Sequence, residues 1–221
     1  MCPGGFDTIK KMKQIPSDLK LYIETEILPR YDAFDKAHRR SHAERVIAES
    51  LRLGALYAAD LCMAYVIAAY HDVGLCAGRE RHHFVSGEIL AADKTLRAWF
   101  NEAEIKIMRE AVEDHRASLG REPRGIYGKI VAEADRLIDP DATLRRTVQY
   151  GLKHYPELDK KAQYERFVFH LHNKYGTGGY LKLWLPQTDN AARLEELRRI
   201  IENSVILKEN FERIFNEESA R

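Results

Sequence analysis

Cysteine is scarce in this chain of 221 residues, which has only three, at positions 2, 62 and 76. No two of them stand in the CxxC spacing of zinc-binding and redox motifs, and an odd number cannot form a complete set of disulfides. Cys62 and Cys76 stand on either side of the candidate site described below, on an apolar segment, so we expect reduced, buried thiols. Reduced thiols are typical of a cytoplasmic protein.

A substantial net charge is also missing. The 35 lysines and arginines nearly balance the 34 aspartates and glutamates, for a formal net charge of +1. No overall field would attract nucleic acid or a membrane surface, so neither is an expected partner. A negatively charged small-molecule substrate would have to be held by a local cluster of cations.

Long hydrophobic runs are absent as well. The N-terminal MCPGGFDTIKKMK has no apolar core of the kind found in signal peptides. The most apolar segment, residues 55–70, includes Asp60 and is too short to span a membrane. We therefore expect a cytoplasmic protein without a membrane partner.

What the chain does contain is helical periodicity. Apolar residues recur at spacings of three and four, and strand-like alternation over several residues is hard to find. With a hydrophobic content of 45%, the sequence predicts an all-α, single-domain helical bundle spanning residues 1–221. Nine helices are predicted, at residues 17–27, 41–57, 58–72, 83–100, 103–117, 127–137, 142–152, 162–173 and 190–215.

One constellation of residues indicates a chemical function. The adjacent His71 and Asp72 end the apolar segment, with His42 upstream and Asp135 downstream. Imidazole nitrogens and carboxylate oxygens together suit a divalent cation such as Mn, Fe, Co, Ni or Mg, whereas a structural zinc site would use thiolates. The pattern predicts a metal site, with metal-assisted hydrolysis as its chemistry.

The adjacency of His71 and Asp72 requires a helix end. Neighbouring helix residues point about 100° apart and rarely bind one ion from the middle of a helix. Residues 55–70 form a strong helix and Gly74 is a common type of helix stop, so we expect both ligands where the helix relaxes. An acid in a last turn opposes the helix dipole, and a metal ion would supply its cationic partner. A buried histidine beside an ordinary aspartate is the alternative.

The segments that hold these residues resemble the motifs of a known family. DKAHRRSHAERVI surrounds His42, AAYHDVGL contains His71 and Asp72, and VAEADRLID contains Asp135, with RHHFVSGEIL and VEDHR between them. In this order they are similar to the HD-domain superfamily of metal-dependent phosphohydrolases, which is named for the His-Asp pair. The resemblance implies a helical bundle of the HD-domain type. Its metal-site core would cover about residues 35–138, with a C-terminal helical extension at 139–221.

The resemblance also selects among candidate ligands. HAERV resembles the family's first motif, which makes His42 the ligand and leaves His38, four residues earlier, as a neighbour of the site or a surface residue. ADRL likewise marks Asp135, although a helical aspartate is usually solvated. The implied metal ligands are His42, His71, Asp72 and Asp135.

A second ion is an open question at this stage. Superfamily members with two ions bridge them through the aspartate of the HD pair and use further histidines for the second. His83 and His115 stand at matching places, but Asp114 replaces the first histidine of a His-His pair found in some members. We therefore expect one tightly held ion, with His83 and His115 facing the substrate or a second, weaker ion. His82 is interpreted as a solvated neighbour.

A phosphate substrate requires fixed cations, because Lys and Arg donate charge-assisted hydrogen bonds to phosphate oxygens. Lys174 stands between the helical FVFHLHN and the glycine-rich GTGG turn, where a ligand can approach the chain closely. Arg45 and Arg136 flank the ligand motifs. We expect these three residues to bind substrate, and solvation at the surface is the alternative for each.

The predicted function is a metal-dependent phosphohydrolase acting on a nucleotide or another small phosphate compound. Metal-activated water would attack phosphorus, Asp72 would orient that water, and His83 or His115 would act as general acid. Two alternatives stay open: a non-catalytic sensor module that binds a metal or nucleotide, and a di-iron oxygenase, an activity known in the same superfamily. The last predicted helix could cover the core or form the face of a homodimer.

Overall fold

The computed structural model describes residues 14–34, 38–136, 138–186 and 188–220. Within these ranges the chain forms helices and no strand, so the all-α prediction is confirmed. The α-helices are α1 (Ser17–Tyr22), α2 (Arg40–Leu56), α3 (Leu61–Tyr70), α4 (His82–Ala92), α5 (Glu102–Asp114), α6 (Ile126–Asp135), α7 (Pro140–His154), α8 (Lys160–Tyr175), α9 (Asp189–Glu202) and α10 (Ser204–Ser219). Shorter helical segments are a π-helix at Ile23–Ile27 and 3-10 helices at Leu28–Ala33, Val73–Ala77, Lys94–Ala98 and Ala117–Leu119.

Each predicted helix overlaps an observed one, and the largest differences are breaks. The last predicted helix, at residues 190–215, is two helices because Asn203 interrupts it. The Asn203 side chain accepts hydrogen bonds from two backbone N–H groups at the start of α10, at 3.2 and 3.1 Å. The predicted helix at 83–100 likewise ends early as α4, and Asp93 then caps a separate 3-10 segment.

The chain divides into two compact units. The first comprises the described residues up to Arg116 together with Pro123–Asp135. The second comprises Ala117–Glu122 and the described residues from Arg136 onward. This boundary lies close to the predicted limit between metal-site core and extension. That the whole chain forms one domain stays a prediction.

Helix α3 is the centre of the first unit. All of its residues from Cys62 to Tyr70 are buried, as expected for a helix that is apolar on every side. Helices α2, α4, α5 and α6 pack against it. Asp60 begins the helix, because its Oδ1 accepts hydrogen bonds from the backbone N–H groups of Cys62 (2.8 Å) and Met63 (3.2 Å). The charge that interrupts the apolar segment is therefore a helix cap.

No single helix in the described part of the chain is long and apolar enough to cross a membrane. One bent pair, Leu61–Ala77 with His82–Ala92, qualifies by length and composition alone.

The prediction of buried thiols is confirmed for one cysteine and wrong for another. Cys62 lies in the buried helix α3. Cys76 is exposed, because it lies on the 3-10 segment that follows α3 and not in the core. Cys2 lies outside the described residues.

Helices α7, α8, α9 and α10 enclose the core of the second unit. Phe167 of α8 and Phe211 of α10 are buried in it, with their ring centroids 5.2 Å apart. Apolar residues at spacings of three and four on each helix face this core. It is this spacing that allowed the helices to be predicted.

The His71–Asp72 pair lies at a helix end, as predicted. Helix α3 ends at Tyr70, and a 3-10 segment begins directly after Asp72. The backbone does not reach a left-handed conformation at Gly74, as a glycine helix stop would suggest. A positive φ occurs only later in this stretch, at Gly78 (φ 91°).

Gly74 is required by a close contact instead. Helix α4 passes so near that a Cβ on Gly74 would lie 2.3 Å from the carbonyl oxygen of His82 and 2.5 Å from the backbone nitrogen of Ser86. The backbone N–H of Gly74 also donates a hydrogen bond to Ser86 Oγ (2.8 Å). This contact brings the start of α4 against the turn that carries Asp72.

Replacing Gly74 by alanine should destabilise the protein by about 1 to 3 kcal/mol, the usual cost of extra atoms in a packed contact. Backbone atoms of α4 form this contact, so they cannot swing aside as a side-chain tip would. Urea denaturation followed by circular dichroism measures the change. Gly125→Ala is the matched control, since a Cβ there meets nothing within 4 Å. Equal unfolding free energies for the two variants would contradict this account.

Candidate metal centre

Six polar side chains of the first unit converge beside the end of α3. They come from five segments: α2, the turn after α3, the start of α4, the end of α5 and the end of α6. The six residues are His42, His71, Asp72, His82, His115 and Asp135. Three of them are almost inaccessible, with exposed fractions of 0% for His71, 4% for Asp72 and 2% for His115. Polar groups this deeply buried need partners that compensate for lost hydration.

The carboxylate of Asp72 joins two groups of ligand atoms. Its Oδ2 lies 3.3 Å from His71 Nε2 and 3.6 Å from His42 Nε2. Its Oδ1 lies 3.4 Å from the Nε2 atoms of both His82 and His115. We call His42, His71, Asp72 and Asp135 the first group, and Asp72, His82 and His115 the second group. Each contains three ligand atoms close enough to one another to hold a metal ion.

The first group brings together all four predicted ligands. His42 Nε2 lies 3.1 Å from His71 Nε2 and 3.2 Å from Asp135 Oδ1. Asp135 is the last residue of α6, and His42 lies in the first turn of α2. The packing of α6 against α2 therefore places the two ends of the sequence motif next to each other.

The second group contains a histidine that sequence reasoning set aside. His82 Nε2 lies 3.2 Å from His115 Nε2, so His82 is part of the cluster and not a solvated neighbour. The face of α4 that points at the cluster also carries Ser86, four residues later, which binds the backbone of Gly74. The small Ser86, four residues after His82, was a signal for this face, because residues four apart share a helix face and a small side chain permits the close contact with Gly74.

His83, predicted to face the substrate or a second ion, lies outside both groups. Its ring centroid is 4.2 Å from that of Phe84, and its buried Nδ1 has no hydrogen-bond partner among the described residues. Burial and the charge of His82 lower the pKa of His83 to about 4. Asp114 also lies outside the groups, because Arg124 binds its carboxylate at 3.0 to 3.2 Å.

Comparison with protein families identifies the segment that builds this cluster. Residues 39–138 match the family model described as HD domain. This segment is an HD domain. The recognition of the HD-domain superfamily from the sequence motifs is therefore confirmed. Searches of curated proteins and of solved structures found no match.

The imidazole rings of the HD domain are fixed in one orientation by backbone carbonyls. The Nδ1 atoms of His71, His82 and His115 lie 2.7, 2.7 and 2.6 Å from the carbonyl oxygens of the residues three positions earlier. Because a carbonyl oxygen only accepts, each Nδ1 carries the proton and donates it. In the neutral rings, the lone pairs of the Nε2 atoms then point into the cluster.

A divalent ion fits these ligand atoms. The Nε2 lone pairs and the Asp72 oxygens face one another at 3.2 to 3.4 Å with no hydrogen between them when the rings are neutral. Such a set of acceptors is stabilised by a cation at its centre. Nitrogen and oxygen ligands without sulfur suit Mn, Fe, Co, Ni or Mg, as the sequence predicted.

His42 differs from the other rings because its outer nitrogen contacts an arginine. Arg45 NH2 lies 3.0 Å from His42 Nδ1, and Arg45 NH1 donates to the carbonyl oxygen of Ala134 (3.3 Å) at the end of α6. Arg45 thus ties α2 to the segment that presents Asp135.

The pKa values of the first group show how strongly the charges interact. Burial lowers the pKa of His42, but the hydrogen bonds that its ring donates to Asp135 and Asp72 outweigh burial and raise this pKa to about 9. Burial would raise the pKa of Asp72, but the charge of His71 and a hydrogen bond from His115 hold it well below its usual value. Asp135 is likewise lowered, chiefly by His42 against the effect of burial. Both carboxylates are ionised, and a proton on His42 Nε2 stands where an ion would replace it.

The rings of His82 and His115 also have shifted pKa values, and the turn that carries Asp72 is held by Tyr31. Burial and the charge of His115 lower the pKa of His82. The hydrogen bond that His115 donates to Asp72 outweighs burial and raises the pKa of His115. Tyr31 accepts a hydrogen bond from the backbone N–H of Asp72 (3.2 Å) and donates one to the carbonyl oxygen of Ala69 (2.9 Å). The turn therefore has a fixed backbone as well as fixed rings.

The predicted substrate-binding cations lie in different surroundings. Arg45 contacts the first group, as described above. Arg136 belongs to the second unit, where its NH1 donates to the carbonyl oxygen of Lys182 (2.6 Å). Lys174 also belongs to the second unit, with its Nζ 5.0 Å from the ring centroid of Tyr175. His38 stacks edge-on against His42, with centroids 5.8 Å apart.

The adjacent histidines of α4 give a direct test of the second group. His82→Ala should lower the number of retained ions by about one per chain, because it removes one of only three ligands. His83→Ala should retain the wild-type metal content. Elemental analysis after loading with Mn and dialysis measures both, and circular dichroism checks that the variants fold. Loss of metal from the His83 variant alone would reverse the assignment.

The role of Arg45 can be separated from substrate binding. If Arg45 positions the end of α6 against α2 by donating to the carbonyl oxygens of Ala134 and Asp135, Arg45→Ala should weaken metal affinity by roughly 10- to 100-fold, the usual effect of losing a residue that orients ligands. Arg52→Ala, on the same helix but paired with Glu49 at the surface, should leave that affinity unchanged. A competition assay with a metal-sensitive dye measures it. Unaltered metal affinity with weaker substrate use would instead favour a substrate contact.

Proposed function

We propose that this protein is a metal-dependent phosphohydrolase that acts on a nucleotide or another small phosphate compound. The observation that carries the proposal is the pair of ligand groups that share Asp72 in an HD domain. Each group offers only nitrogen and oxygen atoms, which suit ions that activate water and bind phosphate. The absence of thiolates from both groups argues against a structural zinc site.

We assign the first group to one ion and the second group to another. This revises the expectation of a single tightly held ion, because His82 supplies a ligand that the sequence interpretation left out. Divalent ions bound here would supply Lewis acidity toward a phosphoryl oxygen and a water nucleophile at neutral pH. Asp72, with one oxygen toward each group, would keep the two sites at a fixed separation.

The chain's own residues would perform the remaining tasks. The carboxylates of Asp72 and Asp135 are ionised at neutral pH and can accept a proton from attacking water or orient it. The role of general acid stays a prediction for His83 and His115. A pKa of about 4 leaves His83 unprotonated at pH 7, and His115 Nε2 lies within the second group, so neither is well supported as the acid.

A di-iron oxygenase is a second candidate, favoured by the same carboxylate, which belongs to both groups. Four histidines and shared Asp72 oxygens are ligands that also suit iron. Elemental analysis and oxygen uptake separate the two functions. Two irons with oxygen consumption would favour oxygenation, whereas phosphate release with Mn or Mg would favour hydrolysis.

The direct test is a screen for hydrolysis by Mn-loaded protein over nucleoside mono-, di- and triphosphates and cyclic nucleotides, with the nucleotide products separated by chromatography. Asp72→Ala should lower the turnover of any substrate found by more than about 100-fold, since a shared ligand should matter more than an outer partner. Glu88→Ala removes an exposed carboxylate from the same unit and should retain wild-type turnover. Metal-independent turnover, or an active Asp72 variant, would overturn the proposal.

A further inference from the structure

Helix α8 carries two cations and a histidine along one face, outside the metal centre. Arg166, His170 and Lys174 are spaced four residues apart, so they form a column next to the core residues Phe167 and Leu171. All three are half-buried. They belong to the second unit, which contributes no residue to either ligand group.

This column has no acidic counterpart. Within the described residues, neither Arg166 nor His170 nor Lys174 forms an ion pair with a carboxylate. Burial and the charges of Lys174 and Arg166 lower the pKa of His170, and no carboxylate opposes them. Burial lowers the pKa of Arg166 in the same way. Half-buried cations such as Arg166 and Lys174, without an acid beside them, are stabilised by an anion that binds between them, and His170 can donate a further hydrogen bond to it.

The guanidinium of Arg166 is held in place by α7. Its NH2 donates to the carbonyl oxygen of Thr147 (2.5 Å), and its Cζ lies 5.9 Å from the ring centroids of both Tyr150 and Tyr155. A Cβ on Gly151 would lie 2.4 Å from Arg166 NH2, so only glycine leaves room for the guanidinium at this position.

The other end of the column is fixed by the GTGG turn. The backbone N–H of Leu181 donates to the carbonyl oxygen of Lys174 (3.0 Å), and a Cβ on Gly179 would lie 2.5 Å from that oxygen. The ring of Tyr175 lies 5.0 Å from Lys174 Nζ and 6.5 Å from the ring of His170. A lysine that caps a helix donates to the carbonyl oxygens of its last turn. Among the described residues, Lys174 Nζ donates to no carbonyl oxygen at the end of α8.

We propose that Arg166, His170 and Lys174 form a binding site for the phosphate group of a small molecule. Arginine supplies a planar fork, lysine a mobile point charge and histidine a third donor, and these are the groups that recognise phosphate oxygens. The phosphate belongs either to the substrate of the proposed hydrolysis or to a separate phosphorylated ligand. The proposal concerns binding, so it does not depend on hydrolysis at the metal centre.

Inorganic pyrophosphate is the probe, titrated by calorimetry at low ionic strength into full-length protein from which metals have been removed by chelation and dialysis. Wild-type protein should bind it. Lys174→Ala should weaken binding by roughly tenfold or more, the effect of losing one charged hydrogen bond. Arg166→Gln should act similarly, but this variant also removes the packing of Arg166 on α7. Lys174→Ala is the decisive variant, because among the described residues the Lys174 ammonium contacts only the ring of Tyr175. Lys208→Ala removes an exposed cation from the same unit and should change binding by less than about twofold.

Further measurements identify the site and the source of the phosphate. The ring resonances of His170, assigned with His170→Gln, should shift on addition of pyrophosphate. Asp72→Ala should bind the probe as wild type does, which separates this site from the metal centre. A parallel rise in KM for Lys174→Ala would assign the phosphate to the substrate, and an unchanged KM to a separate ligand. Wild-type affinity in Lys174→Ala, or no binding to metal-free protein, would overturn the proposal.

Discussion

The arrangement of the first unit depends on one buried carboxylate. Asp72 is 4% exposed, yet it is ionised and stands between four imidazole nitrogens. A buried negative charge is tolerated only where donors or cations surround it. The helices that carry these nitrogens must therefore meet at the end of α3, and the wholly apolar α3 supplies the core against which they pack.

The same constraint explains the conformation of the histidines. A ring that served Asp72 as a simple hydrogen-bond donor would carry its proton on Nε2, but three of the four rings use Nδ1 to bind a carbonyl of their own chain. When these rings are neutral, their inner nitrogens accept and do not donate. His42 is the exception, and Arg45 occupies its outer side. The cluster resembles a set of ligands more than a network of hydrogen bonds.

Most of the fold and part of the site followed from local patterns. Apolar spacing predicts helices directly. The motifs in the sequence also identify His42, the His71–Asp72 pair and Asp135 without any knowledge of how the helices pack. The choice between His82 and His83 could not be made in this way, because adjacent helix residues face about 100° apart and the rotation of α4 about its axis is set by its contact with Gly74. The break at Asn203 was missed for the converse reason, since a capping side chain overrides a continuous apolar pattern.

The origin of the six ligands in five separate segments has a thermodynamic consequence. An unfolded chain holds these side chains far apart, so ions bound by these residues would bind the folded form almost exclusively. Metal binding would then be linked to folding, and a free-ion concentration about 100 times the dissociation constant would add about 2.7 kcal/mol to the stability of the folded state. Bound ions would in this way stabilise the fold before any reaction takes place.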